Sequence, residues 1–363
     1  MDLKENIEEE LAVYRKQIDR IDEDILNLMN KRITAAKSIG EIKATLEKPA
    51  FYRPEREAQV IRRLKSLNGG PLDDFGVESL YREIMSVTRG MEAGLSVSVL
   101  GPKGTYTELA ARQHFGSAVG IVYAPDINEI FRSSESGQTN FAVVPVENST
   151  EGGVSATLDR LITTSLLISG EINFKVHHNL LGFGDGLEDI ERVYAHSQSL
   201  AQCKRWLGEN LPGVKVVPVS SNAEAAKKAS MDSGAAAIAS ISAADIYGLR
   251  VLSKSIEDEA NNTTRFLVLS NQDTPQSGND KTSLLLSCKH QPGALFRMLK
   301  PLFDANVDMT KIESRPSKTG LWEYVFFIDL LGHHDDESIR PALSLLRDQA
   351  GLFKNLGSYP VSG

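Results

Sequence analysis

Residues 96–107, SVSVLGPKGTYT, mark the point where the hydrophobic pattern of this chain changes from helical to strand-like. Residues 96–100 are typical of a short buried strand, a Gly-Pro turn follows, and a helical pattern begins at residue 107. The same alternation continues, with strands predicted at 141–145, 192–195, 215–219, 236–239 and 266–269 and helices at 200–209 and 223–231. Strands that alternate with helices indicate an α/β domain with largely parallel sheets over residues 96–270.

Upstream of this point, residues 8–92 have a helical pattern throughout. The first helix carries two apolar heptad positions, which hold Leu11, Ile18, Ile25 and Ile39 in one row and Tyr14, Ile21, Leu28, Ala35 and Ile42 in the other. Pro49 ends this helix, and two shorter helices are predicted at 55–67 and 76–91. Because three helices cannot bury such long stripes alone, we expect an all-α domain, residues 1–92, that forms an intertwined dimer.

Downstream, a polar linker at residues 271–280 precedes a third unit, residues 281–363. Its elements are predicted in the order strand, helix, strand, strand, helix, strand. This βαββαβ order is typical of a ferredoxin-like α+β sandwich. The sequence therefore predicts three domains of different class.

The composition excludes several classes of protein. The 363 residues are 41% hydrophobic and 24% charged, which is typical of a globular protein. A net charge of −8 argues against nonspecific binding to nucleic acid or membrane surfaces. Only two cysteines, Cys203 and Cys288, are present, which argues against a disulfide framework or a zinc site. With no signal peptide or apolar segment of membrane-spanning length, we expect a cytoplasmic protein.

Three cations interrupt the apolar stripes of the first helix, namely Arg15, Arg32 and Lys43. They could flank a coiled coil and pair across it, or they could bind a dianionic ligand between helices. The side chains that could complete such a pocket are Arg56, Glu57, Thr88 and Glu92.

Polar clusters also lie beside the predicted strands of the α/β domain. The turn at 101–107 matches no nucleotide-binding loop, but its backbone N–H groups could bind a carboxylate or could equally form a helix cap. Residues 147–153 follow a strand, where open α/β sheets bind ligands, and residues 261–266 enter another strand. No serine, histidine and acid can be ordered into a catalytic triad.

Residues 8–92 resemble the all-helical chorismate mutase family. The family's active-site spacings match Arg15, Arg32, Lys43, Arg56, Glu57, Thr88 and Glu92. The resemblance implies a rearrangement in which cations hold two substrate carboxylates and stabilise charge on an ether oxygen, next to Lys43 and Glu92. It also implies that Arg15 comes from the partner subunit. The alternative is a helical module for dimerisation or regulation without mutase activity.

The motifs GPKGTYTELAA, VPVENSTEGGV, HSQSLAQC and IEDEANNTTRFLVL resemble prephenate dehydratase over residues 96–270. The resemblance implies a bilobal α/β fold like that of periplasmic binding proteins, with prephenate in the cleft and no cofactor. Thr264 would donate a hydrogen bond to the departing hydroxyl. The other implied contacts are Glu147, Asn148 and Gln202 as orienting residues, and Thr105, Ser149, Ser197 and Arg265 as carboxylate anchors.

The last unit resembles the ACT domain of amino-acid-regulated dehydratases, through its motifs GALF at 293–296 and ESRP at 313–316. The resemblance implies phenylalanine bound between paired ACT domains, with an effect on the dehydratase cleft. The implied contacts are Gly293, Ala294, Leu295, Asn306, Asp308, Glu313, Ser314 and Arg315. Asn306 replaces a glycine of the family, and we expect the turn to survive because asparagine tolerates the left-handed conformation.

Together these features predict an enzyme with chorismate mutase and prephenate dehydratase domains, feedback inhibition by phenylalanine, and a homodimer or higher homo-oligomer. A rival from another class is a non-catalytic binding protein on the bilobal fold. The motif Thr264-Arg265-Phe266 argues against that rival.

Overall fold

A computed structural model describes residues 3–45, 52–92, 94–184, 186–288, 291–316 and 324–362. The chain begins with three helices, α1 (Leu3–Lys43), α2 (Pro54–Leu67) and α3 (Asp74–Glu92). Pro54 lies in the first turn of α2, where its missing N–H is not needed. The all-α prediction for this part of the chain is confirmed.

Most of the apolar side chains of α1 are exposed in the single chain. Ile18, Ile25 and Leu28 expose 56%, 43% and 63% of their surface. The second half of α1 packs on α3, where Arg32 contacts Thr88, but the first half extends beyond the rest of the chain. Exposure of so many large apolar groups is uncommon in a monomer.

The α/β domain begins with a first group of elements in chain order: β1 (Ser96–Leu100), α4 (Tyr106–Phe115), β2 (Gly120–Ala124), α5 (Ile127–Glu135), β3 (Phe141–Asn148), β4 (Gly152–Gly153), α6 (Ser155–Thr163) and β5 (Leu167–Lys175). A second group follows: β6 (Asn179–Gly182), β7 (Arg192–His196), α7 (Ser197–Gln202), α8 (Lys204–Asn210), β8 (Lys215–Val219), α9 (Asn222–Ala229), β9 (Ala235–Ala239), α10 (Ile241–Tyr247), β10 (Arg250–Ser253) and β11 (Thr263–Ser270).

These strands form two sheets, one in each lobe. The first has the order β2-β1-β3-β11-β5, with β4 attached to β3, and the second has the order β10-β6-β9-β7-β8. The chain enters the second lobe after β5 and returns to the first lobe in β11, between β3 and β5. The bilobal α/β prediction is confirmed.

The prediction of largely parallel sheets is wrong. Strands β1, β2 and β3 are parallel, as are β7, β8 and β9, but β11 is antiparallel to both of its neighbours and β6 is antiparallel to β9 and β10. The reason is the crossing between lobes, because a strand that returns from the second lobe enters the first sheet from the opposite end.

The last domain contains β12 (Asp280–Ser287), α11 (Ala294–Asp304), β13 (Met309–Pro316), β14 (Tyr324–Leu331), α12 (Arg340–Gln349) and β15 (Leu352–Pro360). Its sheet has the order β13-β14-β12-β15, and every pairing is antiparallel. This is the βαββαβ arrangement of a ferredoxin-like sandwich, as predicted.

The last domain shares a hydrophobic core with the first lobe. Leu285, Phe327 and Tyr359 from its sheet pack with Val144 and Leu267 of the lobe. The polar segment at 271–280 therefore separates the two domains in sequence but not in space.

The helical segment is also docked on the first lobe. Tyr52 lies in a core cluster with Phe115 and Phe141, and Arg82 Nη1 donates to the carbonyl oxygen of His114 at 3.1 Å. Among the described residues, no helix has both the length and the apolar content needed to cross a bilayer.

Candidate active sites

Thr264 and Asn148 form the centre of a polar network at the cleft between the lobes. The antiparallel register of β3 and β11 places these two residues opposite each other. Asn148 Nδ2 donates to Thr264 Oγ1 at 2.9 Å and to Asn262 Oδ1 at 2.9 Å. Because Thr264 Oγ1 accepts this bond, its own proton remains available for donation to another oxygen.

Gln202 connects this pair to the second lobe. It lies at the end of α7, and its Nε2 donates to Thr150 Oγ1 at 2.9 Å, while its Oε1 accepts from Asn262 Nδ2 at 2.9 Å. Thr150 Oγ1 in turn donates to Asn148 Oδ1 at 2.6 Å. Hydrogen bonds therefore run across the cleft from one lobe to the other.

A buried histidine extends the network. His178 Nε2 lies 2.8 Å from Gln202 Oε1, and its Nδ1 lies 2.9 Å from Tyr106 Oη. Burial lowers the pKa of His178. This effect outweighs Gln202 and Glu257, which raise the pKa, so the ring is neutral at pH 7. The network thus consists of neutral amide, hydroxyl and imidazole groups, which can orient a substrate and donate hydrogen bonds to a leaving group.

Arg265 and Glu147 lie elsewhere in the structure. The guanidinium of Arg265 binds Glu171 at 2.9 Å and Asp329 at 2.6 Å, away from the network around Thr264. Glu147 binds Lys311 of the last domain at 2.7 Å. Successive side chains of a strand point to opposite faces of the sheet, so the neighbours Thr264 and Arg265 have different contacts.

Three other predicted contacts have different surroundings. Thr105 caps α4, because its Oγ1 accepts from Glu108 N at 3.4 Å and donates to Leu100 O at 2.7 Å. Ser149 joins two loops by accepting from Thr263 N at 3.0 Å. Ser197 is exposed at the start of α7.

In the helical segment, Arg32 Nη1 donates to Thr88 Oγ1 at 3.1 Å. Lys43 ends α1 and is half-buried. Arg15 is exposed and lies 17 residues before Arg32, which is about 26 Å along the helix, so the two cannot reach one ligand in a single chain.

The remaining predicted residues of this pocket differ in their exposure and in their contacts. Arg56 is exposed on α2, whereas Glu57 forms an ion pair with Arg89 of α3. Glu92 is the last residue of α3, and its side chain lies outside the described residues.

The predicted effector contacts lie at two opposite ends of the last domain. Gly293, with a left-handed backbone, precedes α11, and Asn306, also left-handed as expected, follows it about 16 Å away. The ESRP motif lies at the Gly293 end, because Arg315 and Ser287 both pair with Val325. Each chain therefore offers two partial sets of contacts: Gly293, Ala294, Leu295, Glu313, Ser314 and Arg315 at one end, and Asn306 and Asp308 at the other.

Among the described residues, one group of three side chains that could bind a metal ion lies close together. His333, His334 and Asp335 place ligand atoms within 4.8 Å of one another. Their other contacts are internal, since His333 Nε2 lies 2.8 Å from Thr274 O. The group shares no residue with the polar network.

Four members of the polar network, Asn262, Thr150, Tyr106 and His178, are not among the residues predicted from the sequence. Asn262 and Thr150 lie inside the polar clusters that were noted, so their proximity to the predicted residues was a usable signal. Tyr106 likewise lies in the turn at 101–107, whereas His178 had no such signal, because only the fold brings it to Tyr106 and Gln202.

Three family models match consecutive parts of the chain. The chorismate mutase type II family matches residues 14–93, the prephenate dehydratase family residues 97–274, and the ACT domain family residues 282–344. The Arg32–Thr88 contact lies within the chorismate mutase match, and the polar network lies within the prephenate dehydratase match.

Individual relatives match over almost the full length. A bifunctional chorismate mutase/prephenate dehydratase from Neisseria gonorrhoeae is 48% identical over 99% of both chains. A protein of the same description from Pseudomonas aeruginosa is 46% identical over 97% of this chain and 98% of that one. Among solved structures, prephenate dehydratase from Arthrobacter aurescens in complex with L-Phe has a TM-score of 0.68 at 35% identity, covering 74% of this chain and 90% of that chain.

Proposed function

The chain belongs to the family of bifunctional chorismate mutase/prephenate dehydratases, and we propose that it rearranges chorismate to prephenate and converts prephenate to phenylpyruvate. Helices α1–α3 would catalyse the first reaction, and the cleft between the two lobes would catalyse the second. The low cysteine content supports a cytoplasmic location.

The observation that carries the dehydratase proposal is the hydrogen bond between Asn148 and Thr264. In the reaction the bond to the ring carboxylate breaks and the carboxylate leaves as carbon dioxide. The electrons of that bond make the ring aromatic, and the ring hydroxyl leaves with a proton as water. Thr264 would donate a hydrogen bond to that departing oxygen, because Asn148 holds its Oγ1 as an acceptor. Asn148 and Gln202 would orient prephenate, and Asn262, Thr150 and His178 would hold those amides in place.

The contact between Arg32 and Thr88 supports the mutase proposal. Arg32 and Lys43 would bind the carboxylates and ether oxygen of chorismate, with Arg56, Glu57 and Glu92 completing the pocket. Arg15 would enter from a second copy, because it lies about 26 Å from Arg32 along its own helix. The exposed apolar side chains of α1 support the homodimer that this requires.

Phenylalanine is the proposed effector. The Arthrobacter aurescens relative was solved with L-Phe, and this chain has an ACT domain with the two matching motifs. Because the two sets of predicted contacts lie at opposite ends of one domain, the site would form between two ACT domains side by side. Gly293 and Ala294 of one copy would then face Asn306 and Asp308 of the other.

The test is phenylpyruvate formation from chorismate alone, with and without phenylalanine. We expect the purified chain to form phenylpyruvate and phenylalanine to suppress it. Product from prephenate but not from chorismate would support the alternative of a helical domain without mutase activity. No product from either substrate would contradict the proposed function.

A further inference from the structure

Two charged residues lie directly beside the pair Asn148 and Thr264 in the β3–β11 ladder. Glu147 and Arg265 are the next register pair, so they lie opposite each other on these two strands. Because successive side chains of a strand point to opposite faces, Glu147 and Arg265 face away from the cleft. The face they point to is covered by the ACT domain.

The ACT domain presents a register pair of its own at this place. Lys311 of β13 and Asp329 of β14 are opposite each other in the ACT sheet. Lys311 Nζ binds Glu147 Oε2 at 2.7 Å, and Arg265 Nη1 binds Asp329 Oδ2 at 2.6 Å. We call Glu147, Arg265, Lys311 and Asp329 the four-residue clamp. Each sheet contributes one cation and one anion, and each charge is paired across the domain interface.

Further contacts hold the Arg265 half of the clamp in one geometry. Arg265 Nε binds Glu171 at 2.9 Å, Arg265 Nη2 donates to Tyr359 Oη at 2.9 Å, and Ser283 Oγ donates to Asp329 Oδ1 at 2.6 Å. Arg265 and Asp329 expose only 14% and 9% of their side chains. Separation of the buried pair Arg265 and Asp329 would be destabilising, so we expect movement of the ACT sheet here to be coupled to movement of β11.

The strand that supplies Lys311 also carries part of the predicted effector contacts. Side chains alternate along β13, so Lys311, Glu313 and Arg315 share the face toward the first lobe. Lys311 also lies 3.2 Å from Glu313, and Arg315 lies 3.6 Å from Asp159 of α6. Displacement of β13 by an effector would therefore act on Glu147, one residue from Asn148.

We propose that the four-residue clamp makes Glu147 and Arg265 positioning residues, which transmit the state of the ACT domain to the dehydratase pair Asn148 and Thr264. The inference rests on the proposed dehydratase function and on phenylalanine as effector. It assigns to Arg265 a role at the domain interface instead of a contact with the substrate.

The test uses the full chain with the substitution Lys311→Met, which removes the charge and keeps most of the side-chain length. We expect the phenylalanine concentration for half inhibition to rise at least about fivefold, while KM for prephenate changes by less than about twofold. Calorimetry should still detect phenylalanine binding. Lys311→Arg should retain the wild-type response, because a cation is preserved.

Two controls make the result specific. Lys228→Met removes a half-exposed lysine that pairs with Glu224 within α9, far from the interface, and should leave inhibition unchanged. Mutase turnover of chorismate in the same samples reports whether the chain is folded. For a second variant on the other sheet, Asp329→Asn should weaken inhibition in the same way.

The outcomes distinguish a failure of the proposed clamp from a failure of the proposed function. Unchanged inhibition in Lys311→Met would overturn the proposed role of the clamp. Loss of phenylalanine binding together with inhibition would also overturn it, because Lys311 would then belong to the effector site. A wild-type chain that does not turn over prephenate would instead overturn the proposed function and, with it, the inference.

Discussion

Thr264 has one proton to donate, and its neighbours determine where that proton points. Asn148 Nδ2 occupies a lone pair of Thr264 Oγ1, and Asn148 is itself held by Thr150 and Asn262. A free hydroxyl is a weak acid, so in the proposed mechanism Thr264 would contribute a directed hydrogen bond to the leaving oxygen and not a full proton transfer beforehand. Such a bond is worth most in the transition state, where charge develops on that oxygen.

Replacing Thr264 with valine tests this role, because valine keeps the shape and removes the hydroxyl. We expect kcat for prephenate to fall by about 100-fold or more with KM nearly unchanged. Thr264→Ser should recover a large part of the rate. Steady-state kinetics on prephenate gives the answer, with Thr263→Val as the control one residue earlier in β11. A valine variant with wild-type kcat would contradict the assignment.

Among the helices, α1 is only partly covered by the rest of the chain. Its second half packs on α3, but Ile18, Ile21 and Ile25 are all more than 40% exposed. Helices of this length obtain most of their stability from packing of an apolar face, not from intrinsic propensity. A second copy of α1 would supply that packing and bring Arg15 to the pocket of Arg32.

An aspartate at Ile25 should prevent this association. Two unpaired carboxylates, one from each copy, would be buried in an apolar seam at a cost of several kcal/mol. We expect Ile25→Asp to elute as a monomer with light scattering and to lose mutase activity, whereas Ile25→Val should remain dimeric. A monomeric wild-type chain with full mutase activity would show that one copy suffices.

At the scale of the whole molecule, the three domains are packed into a common structure and not tethered by linkers. The clearest sign is Gly357 of β15, where a Cβ atom would lie 2.3 Å from the backbone oxygen of Ile168 in β5. Its φ of +131° is also a conformation that other residues adopt only with strain. Only glycine lets the ACT sheet approach the sheet of the first lobe so closely.

Gly357→Ala should therefore push the ACT domain away from the lobe. We expect a thermal midpoint several degrees lower and a weaker response of dehydratase activity to phenylalanine, with mutase activity retained. Gly137→Ala is the matched control, because Gly137 has a φ of +75° but nothing within 4 Å of the added carbon. Equal effects of the two substitutions would mean that backbone strain, and not close approach, explains the result.

The three domain classes could be predicted from the sequence alone, and so could the proposed pair Asn148 and Thr264. Helical periodicity, strand–helix alternation and the βαββαβ order are local patterns, so each segment reports its own class without its neighbours. Thr264 and Asn148 were recognisable because both lie in compact polar motifs. Five strands, β2, β4, β5, β6 and β10, were missed, because they are short edge strands or carry polar and glycine residues that interrupt the apolar pattern.

The direction of β11, the members of the cleft network and the contacts of Arg265 could not be predicted from the sequence. These depend on which distant segments meet: β11 enters antiparallel because the chain returns from the second lobe, and His178 reaches Gln202 only when the start of β6 and the end of α7 meet in the folded chain. Arg265 is the sharpest case, since its neighbour Thr264 faces the cleft while Arg265 faces Asp329. A sequence motif shows that two residues are adjacent, but the pleat of the strand and the packing of the sheets determine which chemistry each one meets.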